Sequence, residues 1–184
     1  MHRKCRRSVV HPRPRGFTLI ELLAAVSISA ILLGLGVPAM QGLLERQRVD
    51  AAMHGLTSHL AMARLAAVDY RTPVSLCPAD GLGGCRSDSD WSGGWLLYRN
   101  PDGARQPADA DAILRRGEAS LASDLRFVST RGRPQVRFLP DGRSSGSNIT
   151  FSLCREGKAL GQVVVNNAGR IRSQRPGVDS YCTG

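Results

Sequence analysis

Gly16-Phe17-Thr18-Leu19-Ile20-Glu21 decides how this chain is read. Upstream of it, residues 1–16 carry Arg3, Lys4, Arg6, Arg7, Arg13 and Arg15 and no acid. Downstream, residues 17–40 are apolar apart from one charge, Glu21. An ordinary secretory signal has a shorter apolar core followed by its small-residue cleavage site. Here the expected cleavage point, Gly16, precedes the apolar run, so the run would stay with the mature chain. A carboxylate near the start of a membrane segment costs about 2.5–3.5 kcal/mol unless something pairs it. The natural partner is the α-amino group that cleavage would create on Phe17 of a neighbouring copy or relative.

Gly16, Phe17, Thr18, Leu19 and Glu21 together resemble the prepilin leader of type IV pilins and type II secretion pseudopilins. The resemblance implies that a prepilin peptidase in the membrane cuts after Gly16 and methylates Phe17. It implies that Glu21 guides docking into a helical filament beside other major and minor pilins or pseudopilins. The expected location is the bacterial inner membrane as a single-pass protein before assembly, then the periplasm and a cell-surface pilus.

The charge balance sharpens this picture. The formal net charge of the 184-residue chain is +10, and the leader supplies six of those charges, so its removal leaves +4. What remains is unevenly placed: residues 17–79 are neutral, residues 80–125 carry −3 and residues 126–184 carry +7. A basic last third on an otherwise balanced chain points to a polyanion or an acidic partner.

Of the five cysteines, Cys5 leaves with the leader. Cys77, Cys85, Cys154 and Cys182 permit three pairings, and an exported domain would oxidise them. Cys77–Cys85 and Cys154–Cys182 are expected because each closes a local loop. The second closure would restrict the unfolded chain by about 3.5 kcal/mol on the entropy model. A zinc site is disfavoured, since there is no C-x-x-C and the mature histidines, His54 and His59, lie elsewhere. No cofactor is implied.

Three parts follow: a cleaved leader at 1–16, an N-terminal helix at 17–70 and a β-rich domain at 71–184. A helix over 18–69 would span roughly 75–80 Å. Its first half is apolar all round, which suits a membrane and later a filament core. Pro38, among Gly34, Gly36 and Gly42, should kink or locally melt it. In the second half Val49, Met53, Leu56, Leu60, Ala63 and Ala67 form one apolar stripe, expected to pack on the chain's own sheet. His54 and His59 read as surface residues. Thr72-Pro73 ends the helix. Strands are expected at 74–77, 95–99, 113–115, 125–129, 135–139, 148–155, 161–166 and 170–174, divided by Gly, Pro, Asn and Asp. Pro78-Ala79-Asp80-Gly81 and Pro140-Asp141-Gly142 are turns, and residues 100–111 form a loop.

Three further blocks narrow the family. They are Leu60-Ala61-Met62-Ala63-Arg64-Leu65-Ala66-Ala67 followed by Val74-Ser75-Leu76-Cys77-Pro78; Cys85 leading to Asp90-Trp91-Ser92-Gly93-Gly94-Trp95; and Phe138-Leu139-Pro140-Asp141-Gly142 followed by Gly169-Arg170-Ile171-Arg172. In that order, and with the leader, they resemble the FimT/GspH group of minor pilins and pseudopilins. The implied fold is α+β and type IV pilin-like, a long N-terminal helix packed on a C-terminal antiparallel β-sheet domain.

The last block bears on function. Residues 163–166, Asn167-Ala168-Gly169 and residues 170–174 read as a β-hairpin with Gly169 in the turn. Residues two apart on a strand face the same way, so Arg170 and Arg172 would project together beside Gln174 while Ile171 faces the core. Guanidinium groups suit phosphate because they present planar, paired, permanently charged donors. The Gly169-Arg170-x-Arg172 ending resembles the segment with which FimT proteins bind double-stranded DNA during natural transformation. Lys158 and Arg175 join that set by charge and proximity in sequence. The alternative is a structural role, as a minor pilin in pilus assembly or a GspH-type pseudopilin of a type II secretion system.

An enzyme is not expected. Gly142-Arg143-Ser144-Ser145-Gly146 matches G-x-S-x-G on paper but enters no helix, and no histidine follows His59 to act as base. Asp80, Asp88 and Asp90 lack an EF-hand pattern and read as solvated loop acids. Trp91 and Trp95 read as loop and core anchors, and Asn148-Ile149-Thr150 as a strand start.

Overall fold

The computed structural model describes residues 16–119, 121–177 and 180–182, with Pro38 and Ala39 described in their backbone only. The leader before Gly16, with Cys5, lies outside the described residues.

Helix α1 spans Leu19–Asp69. It begins at a reciprocal cap. Glu21 N–H donates to Thr18 Oγ1 at 3.3 Å, while the Thr18 backbone N–H and hydroxyl donate to Glu21 Oε2 at 2.9 and 3.0 Å. Such a capping box satisfies N–H groups that the first helical turn would otherwise leave unpaired. Of the kink or local melting expected at Pro38, melting does not occur, since the helix continues through it; a proline removes one donor from the ladder, and the turns on either side carry on without it. At its other end Arg71, with φ of +51°, turns the chain out of the helix ahead of Pro73.

The chain divides into two compact units, Met1–Leu43 and Leu44–Gly184. In the first, the helix exposes Leu22, Ile28, Leu32 and Leu35 alike. Its apolar window, with a mean hydropathy of 2.2, is long enough to cross a membrane.

The second unit contains every buried residue described, from Val49 to Gly169, and therefore its own complete core. Eight strands follow the helix: β1 Val74–Pro78, β2 Trp95–Arg99, β3 Ile113–Gly117, β4 Arg126–Ser129, β5 Val136–Phe138, β6 Ile149–Arg155, β7 Lys158–Val165 and β8 Ile171–Gln174. They form two antiparallel sheets, ordered β3-β2-β1-β5 and β4-β6-β7-β8. All six stripe residues of α1, from Val49 to Ala67, are buried. They pack in one cluster with Leu76, Leu97 and Phe138 of the first sheet and Phe127, Phe151 and Val163 of the second. The helix comes so close to β7 that a Cβ on Gly161 would lie 1.9 Å from the Met53 sulfur.

The first sheet is buried on its other face as well, where Cys77, Leu96 and Tyr98 form a second apolar cluster with Cys85. Polar clamps hold the covering loops down. Gln106 exchanges two hydrogen bonds with the Cys85 backbone, at 2.7 and 2.8 Å. Tyr98 Oη donates to the Ala104 carbonyl at 3.1 Å, and Asn100 Nδ2 donates to Ser75 Oγ at 2.8 Å. Both disulfides form as expected, Cys77–Cys85 under this loop and Cys154–Cys182 at the margin of the second sheet. Arg155 ties the units of secondary structure together at that margin: its guanidinium contacts Glu45 of α1 and lies 2.6 Å from Asp124.

One surface assignment needs correction. His54 is exposed, but His59 is half-buried, its ring edge-on to Trp95 at 5.3 Å between centroids and its Nδ1 2.9 Å from the Gly55 carbonyl. Position 59 lies one residue before the stripe residue Leu60, so it shares the margin of the buried face. Trp91 and Trp95 are both fully buried, as expected.

Candidate nucleic-acid interface

The β7–β8 hairpin forms with Val165 opposite Ile171 and Val164 opposite Arg172. Its turn, 166–169, closes by Gly169 N–H donating to the Asn166 carbonyl at 2.9 Å and Asn166 N–H to the Arg170 carbonyl at 3.1 Å. The Asn166 side chain adds a third bond, accepting from Arg170 N–H at 2.8 Å. Gly169 has a φ of +74°, and a Cβ there would sit 2.0 Å from the Gly142 carbonyl oxygen. Its role is therefore positional on two counts, the left-handed backbone and the lack of room. The same carbonyl accepts from Arg64 Nε at 2.9 Å, and Ser144 N–H donates to the Asn167 carbonyl at 3.0 Å. Helix, Pro140-Asp141-Gly142 turn and hairpin turn are thereby locked into one corner.

The expected arginines are not placed alike. Ile171 packs against the core and Ser173 Oγ lies 3.1 Å from Thr57 Oγ1 of the helix, so Arg172 and Gln174 take the outer face by alternation. Gln174 Nε2 there lies 3.1 Å from Gln162 Oε1. Directly opposed residues share a face in an antiparallel sheet. The outer face thus carries Arg126, Val128, Thr150, Ser152, Gln162, Val164, Arg172 and Gln174. Arg170 is exposed just outside the paired register and lines a groove with Thr57, Arg64, Leu65, Val68 and Ile171. It is thus at the hairpin corner, next to the helix, while Arg172 lies on the strand.

Arg175 and Lys158 depart from the expected cluster. The Arg175 guanidinium donates to both carboxylate oxygens of Asp50 at 3.0 Å, so its charge is locally cancelled by the helix. Lys158 begins β7, whose last residue, Val165, is roughly 23 Å away at strand rise, at the hairpin end. It pairs with Tyr181 at the opposite margin of the sheet. Neither separation nor ion pair leaves a local pattern in sequence: Asp50 and Arg175 are 125 positions apart.

The loop acids are occupied by their own surroundings. Backbone N–H groups of Gly84 and Leu82 hold the Asp80 carboxyl below its ordinary range. The Arg86 guanidinium does the same for Asp88. Burial pushes Asp90 up, but hydrogen bonds from Ser92 and Arg126 outweigh it and the net shift is downward. Among the described residues no group of three or more metal-binding side chains comes together.

At the other end of the chain Gly16 and Phe17 are exposed ahead of the cap. The cap itself was open to reading, since Thr18-x-x-Glu21 is the S/T-x-x-E spacing of a capping box.

Both parts of the chain resemble known proteins. Residues 52–169 match the family described as Type II transport protein GspH, and residues 12–37 match the prokaryotic N-terminal methylation motif. The pilin-like protein PilA1 of Thermus thermophilus is 27% identical over 163 residues, covering 86% of this chain and 97% of that protein. The prepilin peptidase-dependent protein D of Escherichia coli K12 is 39% identical over 80 residues, 42% of this chain and 47% of its own length. The crystal structure of the type IV minor pilin FimU of Pseudomonas aeruginosa PAO1 superposes with a TM-score of 0.58 at 22% identity, covering 73% of this chain and 97% of FimU. With an apolar helix behind a methylation motif and well over half its length in the GspH match, this chain belongs to the type IV minor pilin and pseudopilin family.

Proposed function

We propose that this minor pilin binds extracellular double-stranded DNA without sequence preference, for uptake in natural transformation. The observation that supports it is the exposure of Arg170 and Arg172, neither with an acid partner among the described residues, on a hairpin anchored at Gly169. Phosphate contacts need only such fixed cations, whereas base reading needs an element shaped to enter a groove. Four contacts would give a log–log salt slope of about −3.6, a loss of roughly 150-fold between 50 and 200 mM salt. Weak single-site binding would be raised by several subunits along a filament.

In this reading a prepilin peptidase cuts between Gly16 and Phe17, the apolar helix holds the chain in the inner membrane, and Glu21 meets the Phe17 amine of a neighbour on assembly. Leu44–Gly184, which has its own core and both disulfides, serves for the test. A fluorescence titration with duplex DNA should show salt-sensitive binding, and Arg170→Gln with Arg172→Gln should abolish it with the thermal melt unchanged. Undiminished binding by that double variant refutes the site.

The family's type II transport description favours a second reading, a GspH-type pseudopilin with a purely structural part in a secretion machine. The unaltered domain would then fail to bind DNA at any salt concentration.

A further inference from the structure

We infer that Arg143 and Arg64 complete the phosphate site around Arg170, in the places that Arg175 and Lys158 leave open; the inference rests on the DNA-binding reading above. Gly142 and Gly169 touch back to back, the carbonyl of one filling the Cβ position of the other. Arg143 and Arg170 each follow one of those glycines, so two cations from turns far apart in sequence flank a single backbone contact. Arg64 approaches the same point from α1, its Nε on the Gly142 carbonyl at 2.9 Å and 3.2 Å from the Cβ position of Gly169. That bond uses one of the five guanidinium N–H groups and leaves the terminal nitrogens for an outside acceptor. All three arginines are exposed, and none forms an ion pair among the described residues.

The surroundings favour phosphate on a duplex. Arg64 and Arg170 line one groove together with Leu65, Val68 and Ile171. Low-dielectric walls beside like-signed charges strengthen the field at such a cleft. The described lining holds no aromatic ring, so single-stranded bases have no stacking platform there. The three arginines of the corner and Arg172 on the adjoining strand make four cations held by three chain segments. The salt slope therefore stays near −3.6 for four contacts, but with different residues responsible.

Single variants of Leu44–Gly184 are titrated with a labelled mixed-sequence DNA duplex over a series of salt concentrations, and with the corresponding single strand. Arg143→Gln should make the salt slope shallower by about 0.9, the value of one lost contact, and Lys158→Gln should leave it unchanged. Arg64→Gln should lose the same increment and Arg64→Lys should keep it, because lysine restores charge. A slope unmoved by Arg143→Gln, in a domain where Arg170→Gln does reduce it, overturns this inference and leaves the DNA reading standing. Equal loss in Arg64→Gln and Arg64→Lys removes Arg64 as a contact. Tighter binding to the single strand overturns the duplex assignment, and no binding by the unaltered domain ends both readings.

Discussion

The two sheets contain the same number of antiparallel strands, yet they are built for different neighbours. In β3-β2-β1-β5 the central strands are buried on both faces, β1 throughout and β2 up to Arg99. Their composition is accordingly a near-continuous apolar run, Val74-Ser75-Leu76-Cys77 and Trp95-Leu96-Leu97-Tyr98, broken by Ser75, whose hydroxyl accepts from Asn100. In β4-β6-β7-β8 the residues alternate. Ile149, Phe151 and Leu153 enter the core, while Thr150 and Ser152 take the opposite face, Thr150 half-buried and Ser152 buried. Burial on both sides leaves a strand no position free for charge. A strand that packs on one side can carry a row of polar and cationic groups, and the proposed interface draws Arg172 from that row and Arg170 from the corner just before it.

The disulfides offer the largest break in this comparison. Closing 28 residues restricts the unfolded chain by about 3.5 kcal/mol, and closing eight by about 2.5 kcal/mol, on the entropy model. Replacing Cys154 and Cys182 by alanine should therefore lower the urea midpoint more than replacing Cys77 and Cys85. The reverse order would mean that the covering of the first sheet, and not loop length, sets the cost.

A smaller effect tests the cancelled charge. Asp50→Asn should release Arg175, steepening the salt slope of DNA binding by up to about 0.9. Stability should change by less than about 1 kcal/mol, since the pair is exposed. An unchanged slope would show that Arg175 lies out of reach of the duplex even when freed.

The smallest effect is on acid stability and belongs to the loops beside the first sheet. Asp80, Asp88 and Asp90 all titrate below the ordinary aspartate value of 3.8 in the folded chain. As pH falls the unfolded chain binds protons first, so the stabilisation is complete above about pH 4 and fades below it. Urea midpoints compared at about pH 6 and pH 3 should fall at the lower value, and Asp80→Asn should reduce that difference. A fall unaffected by Asp80→Asn would place the acid sensitivity elsewhere.

Much of the fold could be read along the chain because its signals are local. The stripe from Val49 to Ala67 has helical spacing, and the turn residues between strands mark where each strand ends. Strand limits moved by a few residues at most, as at β7, which starts at Lys158 where position 161 was expected. The grouping into two sheets was not legible, since pairing joins distant segments such as β1 and β5. The same holds for the site. Arg170, Arg172 and the turn glycine Gly169 announce themselves in four consecutive positions. The bond from Arg64 to Gly142, across 78 positions, does not, nor does the capture of Arg175 by Asp50.

The cap at the start of α1 has one more property. Both hydrogen bonds that Thr18 gives to Glu21 end on Oε2, and Oε1 takes no part in the cap. In the assembly proposed above, the incoming Phe17 ammonium group would meet the idle oxygen while the first turn of the rod stays wound. Docking and helix initiation would use opposite sides of one carboxylate, so a newly released subunit need not fray in order to be recruited.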